Sequence, residues 1–450
     1  MRVRIAGATL PDGTRTDLHI ADGVFVEDLG TLDHRTIDAD GLLALPGLVD
    51  LHAHLREPGF EHSETVLTAS RAAASGGFTA VFAMANTMPA QDTAGVVEQV
   101  ARYGDEAGYV EVRPVGAVSA GLAGEQLAEL GAMARSRARV RVFSDDGHCV
   151  SDALLMRRAL EYVKAFDGVI AQHAQEPRLT LGAQLNEGAV SADLGLAGWP
   201  RVAEESIIAR DIMLAEHVGG RYHACHLSTR GSVELIRAAK AKGLPVTAEV
   251  TPHHLLLTEE FARDYDTRFK VNPPLRTADD VQALREAVAD GTIDVVATDH
   301  APHEAQQKCC EWDAAAMGMV GLESALSVVT TTLVDTGMIG WADVARILST
   351  KPAEIGRVAG QGGPLAVGAP AELTLVDPAF ERTWSTADLA GRSRNTPFTG
   401  ERLKGRVVWT FHAGIPTLAD GRVVEPDALT AARRAAAIGT APTTRTEEVR

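Results

Sequence analysis

The sequence predicts an α/β protein: a parallel (β/α)8 barrel with a small β-sandwich built from both termini. Three observations predict it. Eight short β-type runs alternate with helical patterns through the middle of the chain, the repeat expected of a parallel sheet with crossover helices. Several helical stretches end in glycine, namely Gly77, Gly108, Gly220, Gly243, Gly291 and Gly337, as helix C-termini often do. Polar residues gather where the β-type runs stop, and barrels carry their catalytic residues at the C-terminal ends of strands. A doubly wound open sheet is the alternative. The number of strand–helix units and the placement of the polar residues favour the barrel.

In chain order, residues 1–46 come first, with short β-type runs such as Met1–Ile5 and Gly/Asp turns. The strand candidates then fall at 48–54, 79–86, 110–118, 140–146, 169–174, 221–228, 245–252 and 293–300. The helical candidates between and after them are 63–76, 93–107, 125–136, 152–166, 202–219, 229–242, 277–290 and 322–336. Residues 364–425 return to short β-type runs, such as Ala371–Val376 and Gly405–Phe411, without a strand–helix unit. The expected domains are therefore a barrel over 47–363 and a sandwich from 1–46 and 364–425. The Ala-, Thr- and Arg-rich tail over 430–450 is expected to be mobile.

Composition narrows the function. A chain of 450 residues supports a large core. The formal charge of -17 argues against a nucleic-acid-binding surface. It leaves room for a small anionic substrate, because metals and a few arginines make a site locally positive. The four cysteines, Cys149, Cys225, Cys309 and Cys310, suit a reducing cytoplasm and give no disulfide framework. Adjacent Cys309 and Cys310 are not a zinc-site spacing. No signal peptide and no apolar run of membrane-spanning length stand out.

The run Leu48-Val49-Asp50-Leu51-His52-Ala53-His54 ends in two histidines one residue apart. Alternate side chains of a strand share a face, so both imidazoles can aim at one metal ion. The other run ends carry Asn86, the pair Asp145-Asp146, His173, the pair His223 and His226, and Asp299-His300. Four histidines and two aspartates converging at a barrel mouth suffice for two metals, if one carboxylate bridges them. A lone strand-end histidine is readily a backbone cap, but six polar strand ends together are hard to explain as packing. Either of Asp145 and Asp146 can be the chemical residue, with the other capping a loop. His223, His253, His254 and His300 read as structural or supporting groups, and His62, His148 and His217 carry no assigned role.

Five motifs, taken together, resemble the class I bacterial dihydroorotases of the amidohydrolase superfamily. They are Asp50-Leu51-His52-Ala53-His54-Leu55-Arg56-Glu57-Pro58-Gly59, Asn86-Thr87-Met88-Pro89, Phe143-Ser144-Asp145-Asp146-Gly147, Lys270-Val271-Asn272-Pro273-Pro274-Leu275-Arg276 and Asp299-His300-Ala301-Pro302-His303. The resemblance implies His52 and His54 on a first metal, His173 and His226 on a second, Asp146 as the bridge, and Asp299 as a ligand that also carries a proton. It implies substrate contacts from Arg56, Asn86, Asn272, His303 and the Met317-Gly318 backbone. It also implies two divalent metal ions, with zinc expected; cobalt and manganese share such sites. Related hydantoinases, dihydropyrimidinases, allantoinases and some dihydroorotases bridge their metals with a carboxylated lysine. None of the eight strand candidates here ends in lysine; Lys164 lies in a helical pattern and Lys270 in a loop.

The reaction implied is reversible hydrolysis of dihydroorotate to N-carbamoyl-aspartate in pyrimidine synthesis, by a metal-bridged hydroxide with Asp299 as proton carrier. Arg56 would match the substrate carboxylate with a forked donor. Segment 304–318 reads either as an active-site lid or as a disordered connector. The competing functions are another cyclic amidase, or a catalytically dead scaffold for aspartate transcarbamoylase. Partnership with that transcarbamoylase and a homodimer are expectations left open; no membrane partner is expected.

Overall fold

The computed structural model of the protein describes residues 1–439. Eight parallel strands arise at Leu48–Ala53, Phe78–Ala83, Glu111–Pro114, Val142–Phe143, Val169–Gln172, Arg221–Ala224, Val246–Val250 and Val295–Val296. The first three pair side by side, and the last five pair in sequence order. Isolated parallel bridges link Gly116 to Phe143 and Ala53 to His300. The order is sequential throughout and its first and last members meet. A doubly wound sheet would reverse its order midway and keep two edges.

Several runs are shorter than the sequence suggests. The ladder at 140–146 shrinks to two residues, as does that at 293–300; beyond them only single backbone contacts continue, such as Ser144 N to Gly116 O and the Ala53–His300 bridge. The helix expected over 125–136 begins only at Leu130. Gly121 and Gly124, at φ 60° and 70°, turn the preceding chain instead.

Apolar side chains divide into two main layers here. Val49, Leu51, Ala80, Phe82, Val142, Val169 and Val295 form an inner cluster. Leu48, Ala53, Leu55 and Phe78 join the outer cluster with helix residues such as Val66, Ala69 and Ile208. Strand Leu48–Ala53 therefore changes face partway. A register shift lies between Asp50 and Ala53, as a bulge would produce. It moves Ala53 outward and leaves His52 and His54 on the inner side. Helix Lys351–Gly356 plugs the inner cluster from the far end, through Ala353 and Ile355. A Cβ on Gly356 would lie 2.1 Å from Phe82 Cζ, so only glycine permits that approach.

Helix starts follow local chemistry. Thr277 caps helix Ala278–Ala289, and Asp280 reciprocates in a capping box. Thr65 does the same with Thr68 for helix Val66–Ser75.

Both termini contribute to one mixed nine-stranded sheet. Strand Leu43–Pro46 pairs antiparallel with Leu373–Thr383, which joins the N-terminal strands to the C-terminal ones. Where the sequence suggests a sandwich, hydrogen bonding is thus continuous across all nine strands. Val3, Ile5, Ile20, Leu373 and Phe411 lie in its core. The expected mobile tail is corrected for residues 430–439. Helix Pro426–Gly439 occupies them, buries Leu429 and brings Arg433 to the Gly108 carbonyl. The remainder of that expectation, 440–450, lies outside the described residues. No helix among the described residues is long and apolar enough to cross a membrane.

Candidate active site

At the C-terminal ends of the strands, six side chains from five segments converge. His52 Nε2, His54 Nε2, Asp146 and Asp299 form one group; Asp146, His173 and His226 form another. Asp146 belongs to both, and its two oxygens are divided between them. Its Oδ2 lies 3.5 Å from His52 Nε2 and 3.3 Å from His54 Nε2. Its Oδ1 lies 3.2 Å from both His173 Nδ1 and His226 Nε2. Asp299 Oδ1 faces the first pair, at 3.4 Å from His52 and 3.1 Å from His54. All six residues are nearly inaccessible to solvent.

Asp145 is turned elsewhere. Its Oδ1 accepts from the backbone N–H groups of Val118 and Ser119, at 2.7 and 3.0 Å, and its Oδ2 meets the Ser119 hydroxyl. Of the two adjacent aspartates, 145 holds a loop and 146 faces the histidines. The two lysines weighed as bridges are also engaged elsewhere. Lys164 Nζ donates to Val218 O, and Lys270 Nζ to the carbonyls of Trp312 and Asp313.

The donor set fits divalent cations. Ligand atoms about 2.0–2.1 Å from a tetrahedral zinc sit roughly 3.3–3.4 Å apart, close to the 3.1–3.5 Å separations within the first group. His52 Nε2 is buried without a hydrogen-bond partner, an unmet polar atom that a cation would satisfy. Three histidines have their far nitrogens tied to oxygens: His52 Nδ1 to Glu249 at 2.7 Å, His54 Nδ1 to Asn86 at 2.9 Å, and His173 Nε2 to Gln175 at 2.7 Å. Such bonds hold the proton on the outer nitrogen and turn the inner lone pair toward the metal position.

Burial alone would depress His52, but Asp146, Glu249 and Asp299 outweigh it and raise its pKa well above the usual value. Burial would raise Asp299, yet His52 and His54 bring it down to about 2. The same balance holds Asp146 well below the ordinary carboxylate range. The carboxylates are thus anionic at neutral pH, as metal ligation requires.

Three residues here adopt left-handed backbone: Arg56, His226 and Asp299, at φ 64°, 33° and 46°. Each such non-glycine residue costs about 1–3 kcal/mol, and such strain clusters at functional sites. Arg56 donates from Nε to Pro302 O at 3.1 Å. Its Nη atoms make no hydrogen bond to the described residues. Burial lowers its pKa to about 10, with Asp299 and Asp146 nearby opposing the drop, so it stays cationic at neutral pH.

Asn86 uses its oxygen on His54, leaving its amide nitrogen. Asn272 donates to Gln175 Oε1 at 3.0 Å, and its own oxygen is buried without a partner. His303 Nε2 lies 2.9 Å from Met317 O. Burial and Arg56 push its pKa down to about 4, so it is neutral. Beside His303 opens a cleft of about 410 Å³, lined in part by Arg268, Lys308, Arg392 and Arg394. Segment 304–318 is folded, with a short helix Ala305–Lys308; the disordered-connector expectation does not hold.

Sequence reasoning missed two members. Glu249 binds His52, accepts from His226 N at 3.3 Å, and meets His223 Nε2 at 3.1 Å. Gln175 orients His173 and Asn272 together. The signal for Glu249 was a lone buried-type charge inside the apolar run Val246–Val250. Gln175, in a loop, gave none. His254, read as structural, bonds to Thr251 and to the carbonyls of Pro273 and Pro274.

Fold and site together define a hydrolase of the amidohydrolase class. The dihydropyrimidinase from Brevibacillus agri superposes with a TM-score of 0.82 at 22% identity, covering 94% of this chain and 96% of that one. The L-hydantoinase from Arthrobacter aurescens gives 0.82 at 24%, covering 94% and 97%. Residues 41–232 match the family described as Dihydro-orotase-like. The dihydroorotase of Leifsonia xyli is 70% identical over 94% of this chain and 97% of its own length. Those of Streptomyces coelicolor and Mycobacterium tuberculosis are 64% and 54% identical, over 93% and 92% of this chain and 99% and 97% of their own. The chain belongs to the dihydroorotase family.

Proposed function

We propose that this chain is a dihydroorotase of the class I type, hydrolysing the cyclic amide of dihydroorotate reversibly to N-carbamoyl-aspartate in pyrimidine synthesis. The observation that carries this reading is the division of the two Asp146 oxygens between two histidine pairs, with Arg56 free-armed beside them. It is supported by dihydroorotases at 54–70% identity over nearly the whole chain. The scaffold it implies is a (β/α)8 barrel over 47–363. Its companion is the small β-domain that 1–46 and 364–425 build together.

His52, His54, Asp146 and Asp299 would hold one divalent ion, and Asp146, His173 and His226 the other; zinc suits both sets. Such ions supply a water of lowered pKa and a Lewis acid for the amide carbonyl. The chain's own groups do the rest. Arg56 offers its two Nη donors to the substrate carboxylate as a planar fork. Asn86 Nδ2 adds a donor, His303 holds the Met317 carbonyl beside the ring, and Asn272 Oδ1 accepts a ring N–H, so the ring is fixed against the attacking water. Asp299 turns Oδ1 to the histidines, and its Oδ2 makes no hydrogen bond among the described residues. That oxygen takes the proton from the attacking water and delivers it to the departing ring nitrogen. In ring closure the same oxygen moves the proton the other way.

A dead scaffold is disfavoured because His52, His54, His173, His226 and Asp299 are all present and gathered. Partnership with aspartate transcarbamoylase, a homodimer and a cytoplasmic setting, which the free cysteines suit, remain part of this proposal. The deciding experiment compares dihydroorotate, dihydrouracil, hydantoin and allantoin as substrates of the purified protein, beside elemental analysis. Turnover of dihydroorotate with about two metals per chain supports the reading. Preference for hydantoin or dihydrouracil overturns it.

A further inference from the structure

The segment after the last parallel strand is fastened by charge as well as by its buried apolar residues Trp312 and Ala315. Lys308 is only 5% exposed. Its Nζ donates to three carbonyls: Lys270 O at 3.0 Å, Ala316 O at 2.8 Å and Gly318 O at 3.1 Å. An ammonium has three donors, so three acceptors favour the charged form. Burial and neighbouring Lys270 oppose it, lowering the pKa to about 7. Lys270 answers in the opposite direction. Its own Nζ reaches back to Trp312 O at 2.5 Å and Asp313 O at 3.2 Å, while its carbonyl also accepts from Gly318 N at 3.0 Å.

The two lysines thus cross-link two stretches of chain. One carries Asn272, two residues beyond Lys270. The other carries Met317-Gly318. Three consecutive carbonyls at 316–318 are all taken up by side chains: Ala316 by Lys308, Met317 by His303, and Gly318 by Lys308 and Asn395. The strip is also close-packed. A Cβ on Gly318 would lie 2.7 Å from His303 Nε2 and 2.8 Å from Ala301 Cβ. Between the 316–318 strip and the Lys270–Asn272 strip, one backbone bond runs from Gly318 N to Lys270 O, and the Lys308 ammonium is the side chain that ties Lys270 O to both Ala316 O and Gly318 O.

We propose that Lys308 is a positioning residue for substrate binding: its ammonium fixes the Met317-Gly318 backbone at the distance from Asn272 that a small cyclic substrate requires. Lys308 touches neither substrate nor metal. It acts through the two strips it joins, and the inference rests on the dihydroorotase reading above.

The test uses Lys308→Met, which keeps the alkyl stem and removes every donor, and Lys308→Gln, which restores two donors. Metal content, thermal unfolding, kcat and KM for dihydroorotate are measured for both and for the wild type. Loss of charge-assisted bonds at this spacing should raise KM about tenfold or more in Lys308→Met. The rise should be smaller in Lys308→Gln, with metal content unchanged and kcat within about threefold in both. Amide exchange at 316–318 should quicken in Lys308→Met while strand amides near His52 do not change. Wild-type KM in a folded, metal-replete variant overturns the proposal. So does failure of both variants to fold, or parallel loss of metal and kcat, since each marks a purely structural lysine. If the wild-type protein itself does not turn over dihydroorotate, the functional reading fails first and takes this inference with it.

Discussion

His52 Nδ1 and Glu249 Oε1 lie 2.7 Å apart, both groups sealed from solvent. Through this contact a strand-seven carboxylate orients a strand-one imidazole, and the same carboxylate also receives His226 N at 3.3 Å. Glu249 therefore touches a ligand of each proposed metal. Burial would raise its pKa, but His52 and His223 outweigh burial and keep it ionised. Glu249→Gln should lower metal affinity or kcat/KM by about 10–100-fold, the usual cost of removing a group that orients a ligand. Metal titration beside steady-state kinetics checks this; a variant with wild-type values for both would reduce Glu249 to packing.

Asp146 should prove to be the bridge. Asp146→Ala is expected to lower metal content as well as activity. Asp145→Ala should leave metal content near the wild-type level and cost stability, because its contacts are to Val118 and Ser119. Elemental analysis of the two variants separates them. A mass spectrum showing a carboxylated lysine in the loaded enzyme would overturn the assignment.

Asp299→Asn should nearly abolish turnover while the fold survives. The amide can still face His54, but it cannot take a proton from water at neutral pH. Circular dichroism and metal analysis would show an intact, loaded protein. Near-normal activity in that protein would remove Asp299 from the proton path.

Glu323 sets a pH dependence of stability away from the chemistry. Burial raises its pKa to about 7, although the backbone N–H groups of Ala390 and Gly391 pull it down. The folded protein therefore holds this proton more tightly than the unfolded chain, whose glutamate titrates near its ordinary 4.5. Its contribution is greatest below pH about 4.5 and is lost as pH rises toward about 7. The change is up to roughly 3 kcal/mol. Glu323→Gln should then be more stable than wild type at pH 8 and near it at pH 4.5. Parallel melting curves across that range check the sign; a constant difference between the two proteins would refute it.

The strand ends were legible because a buried parallel strand that stops in polar residues breaks the apolar pattern where chemistry begins. His52, His54, Asp146, His173, His226 and Asp299 all fall at such breaks, and the structure brings them together. Strand alternation alone did not show that the chain bulges between Asp50 and Ala53, since a bulge changes hydrogen-bond register without changing the residue pattern. The residue pattern alone could not tell Asp145 from Asp146, because which carboxylate faces inward depends on the Val118 and Ser119 amides, 27 and 26 positions away. Glu249 acts only through side chains distant in sequence, and Gln175 reaches His173 and Asn272 from a loop without a periodic pattern. The short helix carrying Lys308 has too few residues for a helical period to appear. Helix Pro426–Gly439 was missed because its small, weakly patterned residues resemble a solvated tail.

Arg56 should decide substrate choice. Its Nε is held by Pro302 O, its left-handed backbone fixes where the side chain starts, and its Nη pair makes no hydrogen bond among the described residues. A fork in that position matches a carboxylate bidentately. Arg56→Lys keeps the charge and loses the fork, so it should not behave as a conservative change. Losing one charge-assisted bond costs about 1.5–3 kcal/mol, or roughly one to two decades in kcat/KM. The loss should fall on dihydroorotate far more than on dihydrouracil, which lacks the carboxylate. Measuring both substrates with both enzymes tests this directly. Equal losses on the two substrates, or none on dihydroorotate, would make Arg56 a structural residue and leave the carboxylate to other cations near the cleft.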